Sequence, residues 1–375
     1  MKAQLLVATP ERATVHAIEA ALAEQRPIAV LHPRLPAPEL ARQRALVEAA
    51  ELAPGDAVVL FTSGSTGAAR GIVHTRDSIA AAARASELRL GWRDDDRWLV
   101  CLPLAHSGGL SIVVRCRTAG KPVVLHEGDF AAPAVAARIA EDRVTLASLV
   151  PTQLAALLDD PRWRPPGHLR AVLLGGAAAP PALVEAALAR GVPVHQTYGL
   201  TETFGQVATA CEPGGPLVPL AGVTLLGSPL RIRGPMLARC YLDGAPIAPE
   251  LVTADLGEVA GGILRVRGRA DDVIITGGEN IHPAEVEAVL AATPGVRTAC
   301  VFGLADERWG QIVAAAIATG PDFDRTAALA TWRAALPPHA RPRRLATLAH
   351  LPQLPNGKLD RRAISALPTD PMVYR

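Results

Sequence analysis

The feature that most constrains the fold of this chain is a regular alternation of short apolar runs and alanine-rich amphipathic segments between about residues 57 and 200. Short apolar runs bounded by turn residues are typical of strands that are buried on both faces of a sheet. The alternation predicts strands at residues 58–61, 98–101, 122–125, 146–150, 171–174 and 192–195, and helices at residues 77–88, 134–142 and 182–189. This order predicts an α/β fold with a mostly parallel sheet covered by helices.

The pattern changes after about residue 205, where proline and glycine become frequent and a small β-rich subdomain is predicted at about 205–268. Further on, strands and helices alternate again, which predicts a compact α+β unit of common domain size. Its predicted elements are strands at residues 273–276, 298–303, 312–318 and 345–348 and helices at residues 283–292 and 325–336. We therefore predict a large domain at 1–268 and a small C-terminal domain at 269–375. The first fifty residues are predicted to be helix and loop without assignable chemistry.

Composition excludes several classes of protein. The formal net charge of +2 argues against a dedicated nucleic-acid binder, because such proteins carry a strong basic surplus. The longest apolar stretch, around residues 144–158, is too short to span a bilayer, and no secretory segment precedes it, so we expect a cytoplasmic chain. The five cysteines have no metal-ligand spacing and are expected to be reduced thiols.

Two motifs carry candidate phosphate chemistry. Residues 61–71 (FTSGSTGAARG) follow a strand, and their alternating hydroxyls and glycines allow donors to converge on one anion, although an ordinary hairpin turn is the alternative. Residues 196–203 (QTYGLTET) follow the last strand of the alternating region, where parallel sheets bind ligands. There Tyr198 could stack on a ring, and Thr201 and Glu202 could meet a phosphate-bound Mg²⁺. A helix N-cap beside an acidic residue is the alternative.

Two further motifs lie near the C-terminus. Gly277 and Gly278 would let a ligand or another domain approach the backbone closely, although a hairpin turn explains them equally well. Residues 354–360 (LPNGKLD) form a turn that displays Lys358 at a loop tip. Lysine occurs only three times in the chain while arginine supplies the other positive charges, so a retained lysine indicates that a compact ammonium is needed. A solvated surface lysine is the alternative.

In this order and spacing, the four motifs resemble the adenylate-forming superfamily of acyl-CoA synthetases, luciferases and peptide-synthetase adenylation domains, over about residues 57–375. Residues 102–110 (LPLAHSGGL), 150–154 (VPTQL) and 277–283 (GGENIHP) are most similar to the o-succinylbenzoate–CoA ligases of menaquinone biosynthesis. The resemblance implies an ATP-dependent acid–CoA ligase that forms an acyl-adenylate and then a thioester, with ATP, Mg²⁺ and coenzyme A as cofactors. It also implies that the small C-terminal domain is a mobile lid that carries the catalytic lysine.

The resemblance implies a role for each matching residue. The ATP phosphates would contact Thr62, Ser63, Gly64, Ser65, Thr66, Gly67 and Arg70. The rest of the nucleotide would contact Gly176, Ala177, Ala178, Thr197, Tyr198, Gly199, Thr201, Asp255 and Arg269. Mg²⁺ would bind Glu202, the hinge would be Asp271, and CoA would pass Gly277 and Gly278. The acid would meet His106, Ser107, Arg115 and Gly175, and the catalytic residues would be Lys358, Thr201 and His106.

Several departures and alternatives remain. Arg70 stands where the family usually has lysine, Ala69 where proline is common and Ala254 where glycine is usual. A shortened N-terminus could expose a surface that a second subunit covers, which leaves a homodimer open. The alternatives to o-succinylbenzoate are another aryl or fatty acid, or a carrier protein as acceptor; the chain ends without a carrier domain, which disfavours an assembly-line module. A catalytically dead nucleotide-binding regulator is the non-enzymatic alternative, and retention of Lys358, Glu202 and Asp255 argues against it.

Overall fold

The computed structural model describes residues 1–62, 69–354 and 356–374. Up to residue 200, strands and helices of the described residues mostly alternate, and the one exception is an unpredicted strand that directly follows the first predicted one. In chain order the elements are β1 (Gln4–Val7), α1 (Arg12–Ala23), β2 (Ile28–Leu31), α2 (Ala37–Ala49), β3 (Asp56–Phe61), β4 (Gly71–Thr75), α3 (Arg76–Leu90), β5 (Trp98–Val100), α4 (Ser107–Ala119), β6 (Val123–Leu125), α5 (Ala132–Glu141), β7 (Leu146–Leu149), α6 (Pro151–Leu158), β8 (Ala171–Leu174), α7 (Pro181–Ala189) and β9 (Val194–Leu200). All six predicted strands and all three predicted helices of this region are present.

The prediction that the first fifty residues contain only helix and loop was wrong. β1 pairs in parallel with β2, and β2 pairs in parallel with β3, so this segment supplies one edge of a sheet. Each of the two strands is only four residues long, and an apolar run of that length cannot be distinguished from a buried helical segment by its periodicity. β2 is buried along its whole length, so its contribution to the core was hidden from the sequence pattern.

The region after residue 200 is rich in short strands, as predicted. They are β10 (Gly205–Ala210), β11 (Leu217–Pro219), β12 (Thr224–Leu226), β13 (Arg231–Arg233), β14 (Cys240–Tyr241), β15 (Leu251–Val252), β16 (Asp255–Ala260) and β17 (Ile263–Arg269). Four of these strands extend the central sheet, whose order is β16-β17-β11-β10-β9-β8-β7-β5-β6. β14 joins the first sheet beside β4, and β12, β13 and β15 form a three-stranded sheet. The β-rich region is therefore joined to both larger sheets.

The central sheet changes from parallel to antiparallel pairing at β9. β5 to β9 pair in parallel, and β10 folds back antiparallel to β9. The helices between the parallel strands cover both faces and bury residues such as Val135, Leu154 and Ala187 on one face and Leu110 and Ile112 on the other. The carboxyl ends of β8 and β9 thus open at one edge, next to the first antiparallel hairpin.

The C-terminal part has its own sheet and hydrophobic core, which agrees with the predicted small α+β unit. Its elements are β18 (Ile274–Thr276), β19 (Glu279–Ile281), α8 (Pro283–Ala291), β20 (Val296–Asp306), β21 (Gly310–Thr319), α9 (Arg325–Ala335), β22 (Arg344–Leu348), α10 (Arg361–Ser365) and β23 (Asp370–Pro371). The sheet order is β19-β18-β21-β22-β23, with β20 also paired to β21. Trp332 and Leu290 are wholly buried in this core. In the described part of the chain, no helix has the length and apolar character needed to cross a membrane.

A buried histidine joins the first sheet to the end of the central sheet. His74, in β4, is wholly buried, and its Nε2–H donates to the Thr201 carbonyl oxygen at 2.8 Å. Its ring packs edge-on against Phe204, with ring centroids 5.1 Å apart, and its Nδ1 atom has no partner among the described residues. Burial lowers the pKa of His74 to about 4. The hydrogen bond to Thr201 raises this pKa but does not cancel the effect of burial. The histidine is therefore neutral near neutral pH.

This pKa shift predicts how stability depends on pH. Between about pH 6.5 and 4 the unfolded chain binds a proton at His74 that the folded chain does not, so the free energy of unfolding falls as the pH falls through that window. One such group contributes a slope of up to about 1.4 kcal/mol per pH unit. We expect His74→Gln, which retains a donor for Thr201, to flatten the slope measured by urea unfolding at several pH values. The same substitution at the exposed His16 is the control, and an equal effect of both would contradict the assignment.

Candidate active site

The second motif forms a tight turn at the carboxyl end of β9. A 3-10 turn, Thr201–Thr203, follows the strand, and the Thr203 hydroxyl donates to the Gly205 carbonyl oxygen at 2.7 Å. A Cβ atom at Gly199 would lie 1.7 Å from that same oxygen, so the hairpin can close only around glycine. Thr201 and Glu202 are therefore held at the edge where the parallel strands end, which is where such sheets bind ligands.

Three strand ends bring a tyrosine, an aspartate and an arginine into one network. The Tyr198 hydroxyl donates to Asp255 Oδ2 at 2.6 Å, and Arg269 Nη1 donates to Asp255 Oδ1 at 3.2 Å. Arg269 also forms a bidentate pair with Asp271, at 2.9 and 2.8 Å. Burial, and then the charge of Asp255, raise the pKa of Tyr198. Residues that the sequence assigns to the nucleotide and the hinge are thus in direct contact.

Lys358 enters this site from the C-terminal part of the chain. Its turn is closed by hydrogen bonds from the Leu354 amide to the Lys358 carbonyl oxygen at 2.7 Å and from the Lys358 amide to Asn356 Oδ1 at 3.1 Å. A Cβ atom at Gly176 would lie 3.2 Å from Lys358 Cε and 3.9 Å from Nζ. Burial lowers the pKa of Lys358, while the charge of Asp255 opposes that shift. The alternative of a solvated surface lysine is wrong, because the side chain is directed into the cleft beside β8.

A pair of histidines, His32 and His106, lies in the same cleft as Lys358. His106 precedes α4, and its ring centroid lies 5.4 Å from that of His32, which follows β2. Burial, followed by the charges of His32 and Lys358, lowers the pKa of His106 to about 3. His106 is therefore a neutral imidazole that can donate or accept a hydrogen bond but does not carry a charge near neutral pH.

Arg115 is a buried cation on α4. It is 4% exposed, its guanidinium carbon lies 5.4 Å from the Trp98 ring, and its Nε atom has no hydrogen-bond partner in the described structure. Burial lowers the pKa of Arg115 to about 10. No carboxylate of the described residues forms an ion pair with it. Gly205 has a left-handed backbone with a φ of 106°, and a Cβ there would be in ordinary van der Waals contact with Arg115 Nη2, at 3.5 Å.

Glu202 is joined to the base of the first motif through Tyr241. The Tyr241 hydroxyl lies 3.5 Å from Glu202 Oε1, and the Arg70 guanidinium stacks on the Tyr241 ring at 3.5 Å. Arg70 also pairs with Asp243 at 2.9 Å, and its amide donates to the Thr62 hydroxyl at 3.0 Å. The two described ends of the first motif are thereby joined to each other, and Tyr241 links them to Glu202.

Glu202 has the chemistry of a Mg²⁺ ligand that acts together with phosphates. Burial raises the pKa of its carboxyl, which shows that this site disfavours a negative charge without a nearby cation. Within the described ranges no three His, Cys, Asp or Glu side chains are grouped as in an all-protein metal site. Mg²⁺ commonly binds through one or two carboxylates plus substrate phosphates and water, and a single glutamate beside a phosphate loop fits that pattern.

The other predicted site residues lie after β8, at the start of α4 and in the first motif. A Cβ at Gly175 would lie 2.7 Å from Thr197 Cγ2, and Ser107 begins α4. Gly176, Ala177 and Ala178 form an exposed loop after β8. Ser63, Gly64, Ser65, Thr66 and Gly67 fall outside the described residues.

Gly277 and Gly278 form the turn between β18 and β19, in the C-terminal sheet. Both have left-handed backbones, with φ of 58° and 87°. A Cβ at Gly277 would lie 2.7 Å from the Trp309 ring, so glycine allows this tryptophan to pack on the backbone. The guanidinium groups of Arg308 and Arg343 each lie 4.9 Å from the Trp309 ring centroid. The turn therefore carries an aromatic surface with two flanking cations.

Sequence reasoning missed His32 and Tyr241. His32 directly follows β2, and because that strand was not predicted, its histidine was not placed at a strand end. Tyr241 lies in β14, which reaches the site by pairing with β4. A two-residue strand has no periodicity, so no local pattern could have found it.

Two family models match this chain. The AMP-binding enzyme family model matches residues 1–253, and the model for the AMP-binding enzyme C-terminal domain matches residues 285–358. The 2-succinylbenzoate–CoA ligase of Bacillus cereus is 34% identical over 338 residues, which cover 82% of this chain and 69% of that relative.

Solved structures of o-succinylbenzoate coenzyme A synthetase from Bacillus subtilis share the fold. The complex with the acyl-adenylate OSB-AMP has a TM-score of 0.86 at 29% identity and covers 99% of this chain and 89% of that one. The complex with ATP and magnesium has a TM-score of 0.84 at 29% identity, with shares of 97% and 89%. A double mutant bound to the product analogue OSB-NCoA has a TM-score of 0.66 at 29% identity, with shares of 99% and 89%. The chain belongs to the AMP-binding enzyme family.

Proposed function

We propose that this protein is an ATP-dependent acid–CoA ligase that converts 2-succinylbenzoate, ATP and CoA to 2-succinylbenzoyl-CoA, AMP and diphosphate. The reaction runs through an acyl-adenylate, as expected from the family. The observation that carries the proposal is the Lys358 ammonium, which lies in the cleft between Gly176 and the network of Asp255 and Arg269. A cation in that position meets the chief requirement of adenylate formation, which is to bring two anions together.

In the first half-reaction the substrate carboxylate attacks the α-phosphorus in line and pyrophosphate leaves. The protein forms no covalent bond to the substrates in this step. It accelerates the step mainly by aligning the carboxylate with the α-phosphorus and by neutralising their negative charges. Lys358 bridges the attacking carboxylate and an α-phosphate oxygen, and Thr201 contacts the α-phosphate. Asp255 accepts hydrogen bonds from the ribose hydroxyls beside Tyr198, and we assign the β- and γ-phosphates to the first motif, from Thr62 to Arg70. Mg²⁺, when bound at Glu202, screens the phosphate charges.

In the second half-reaction, the CoA thiol must reach the position that Lys358 occupies during the first half-reaction. We propose a domain boundary at residue 269 and a hinge at Asp271, in the 3-10 turn that joins β17 to β18. Rotation there withdraws Lys358 and brings Gly277 and Gly278 towards the cleft, where they admit the pantetheine arm. The two Bacillus subtilis complexes support this, because with equal coverage the TM-score falls from 0.86 for the adenylate complex to 0.66 for the product-analogue complex. We infer that this chain has the arrangement suited to adenylate formation.

The acid-binding residues follow from the position of Arg115. 2-Succinylbenzoate carries a second carboxylate on its ring, and a buried guanidinium without a protein counter-ion is costly unless a ligand pairs with it. We assign the ring carboxylate to Arg115, and the neutral His106, Ser107 and Gly175 to the wall beside the reacting carboxylate. Homodimer formation and a cytoplasmic location stay predictions from the sequence.

The test of the function is acid-dependent release of pyrophosphate, measured with 2-succinylbenzoate, its analogue without the ring carboxylate, benzoate and a medium-chain fatty acid. Mass detection of the CoA thioester then identifies the acceptor. We expect 2-succinylbenzoate to be the preferred acid. Release with none of the acids would contradict the proposal and favour a non-catalytic nucleotide binder.

Lys358→Ala tests the catalytic assignment. Removing a preorganised cation from a developing anion costs on the order of a hundredfold to a thousandfold in rate. We expect this loss in adenylate formation, measured by pyrophosphate exchange, whereas thioester formation from supplied acyl-adenylate and CoA remains close to that of the wild type. Lys2→Ala, at an exposed lysine, is the control. An equal loss in both half-reactions would contradict a role confined to the first.

Arg115→Met tests the acid assignment. A hydrogen bond to a charged group contributes about 1.5–3 kcal/mol, so we expect kcat/KM for 2-succinylbenzoate to fall about tenfold to a hundredfold. The analogue without the ring carboxylate should be affected much less, because it makes no such contact. Arg117→Met, at an exposed arginine of the same helix, is the matched control. Equal losses for both acids would show that Arg115 acts on the structure and not on the ring carboxylate.

A further inference from the structure

One hydrogen bond joins the turn that carries Lys358 to the large part of the protein. The Thr152 hydroxyl, in the first turn of α6, donates to the Gly357 carbonyl oxygen at 2.6 Å. That carbonyl belongs to the peptide bond that precedes Lys358, so the contact acts on the backbone from which the ammonium extends. We propose that Thr152 is a positioning residue that latches the Lys358 turn onto α6 for adenylate formation. This inference rests on the proposed function.

The turn packs closely against α6 at this point. Gly357 has a φ of 79°, and a Cβ there would lie 3.0 Å from Val150 Cγ2 and 3.5 Å from Thr152 Oγ1. The support is itself fixed, because Gln153 Oε1 accepts a hydrogen bond from the Val150 amide at 3.2 Å and so holds the start of the helix. Among the described residues between 353 and 359, no other hydrogen bond reaches the large part of the protein.

The shape of the turn does not depend on Thr152. Hydrogen bonds within the turn, from the Gly357 amide to the Leu354 carbonyl oxygen and from the Lys358 amide to Asn356 Oδ1, close it internally at 2.9 and 3.1 Å. Loss of the Thr152 hydroxyl should therefore change how often the turn docks and leave its internal geometry intact.

The other end of the turn is fixed to the C-terminal part. Arg361, in α10, pairs with Glu287 of α8 at 2.7 Å and donates to the Val301 carbonyl oxygen at 3.0 Å. The turn must therefore move with the C-terminal domain when that domain rotates. The contact between Thr152 and Gly357 breaks in that motion, so it stabilises only the arrangement in which Lys358 lies in the cleft.

Thr152→Val tests the latch, since it keeps the shape of the side chain and removes its donor. Loss of one uncharged hydrogen bond corresponds to about a threefold to tenfold change in an equilibrium. We expect pyrophosphate exchange to fall by that factor, while thioester formation from supplied acyl-adenylate and CoA is unchanged or faster. Thr152→Ser should restore the exchange rate. Thr331→Val, at an exposed threonine of α9 that bonds only within its helix, should change neither rate.

A second readout does not depend on catalysis. Trypsin cleaves after Lys358 only when the turn leaves the cleft, and under fast reclosing the cleavage rate follows the population of the undocked form. Thr152→Val should be cleaved there about threefold to tenfold faster than the wild type, and Thr152→Ser at the wild-type rate. Equal cleavage rates, or equal losses in both half-reactions, would overturn the latch. Wild-type protein without acid-dependent exchange but with the cleavage difference would overturn the proposed function alone.

Discussion

The candidate active site is organised around one ammonium group. This group belongs to the C-terminal part of the chain and lies in a cleft formed by the large part. Lys358 is carried by the C-terminal part, yet its side chain lies beside Gly176, at the end of a strand of the central sheet. Burial disfavours its charge and lowers its pKa, and the charge of Asp255 opposes that shift only in part. The position is useful because two anions must react there, and a cation held in a partly dry cleft acts more strongly than one in water. In the proposed mechanism, most other features of the site either hold the Lys358 ammonium beside the reacting groups or allow it to be withdrawn.

The remaining charges of the site are arranged for ligands of opposite sign. Arg115 is buried with no protein carboxylate paired to it in the described structure, and Glu202 is a half-buried carboxyl whose pKa is raised by burial. Each would be unfavourable in a protein that bound nothing, because unpaired buried charges are costly. In the proposed function, an anionic acid would pair with Arg115 and a phosphate-bound cation would pair with Glu202. The neutral pair of His32 and His106 adds a polar wall without a further charge.

The same site must serve two successive reactions, and its contacts are divided accordingly. The network of Tyr198 and Asp255 lies within the large part and can persist through both half-reactions. Arg269 and Asp271 lie at the proposed domain boundary, so their contacts are those that the proposed hinge motion would change. The bond from Thr152 to Gly357 would break in that motion and would therefore exist in one arrangement only. Small contacts of this kind can bias a domain equilibrium because each affects one state and not the other.

The sequence by itself determined the elements whose signal is local. The buried strands β3 and β5 to β9 were predictable because their apolar runs are continuous, and Lys358 was singled out because a turn displays one of only three lysines. Only the tertiary structure decided what each group contacts. Thr152 and Gly357 are 205 residues apart, and Tyr241 reaches Glu202 through the pairing of a two-residue strand with β4. Such contacts arise from the packing of distant segments, whose partners leave no periodic pattern in the sequence, and the burial that shifts the pKa of His106 and Arg115 exists only once that packing has formed.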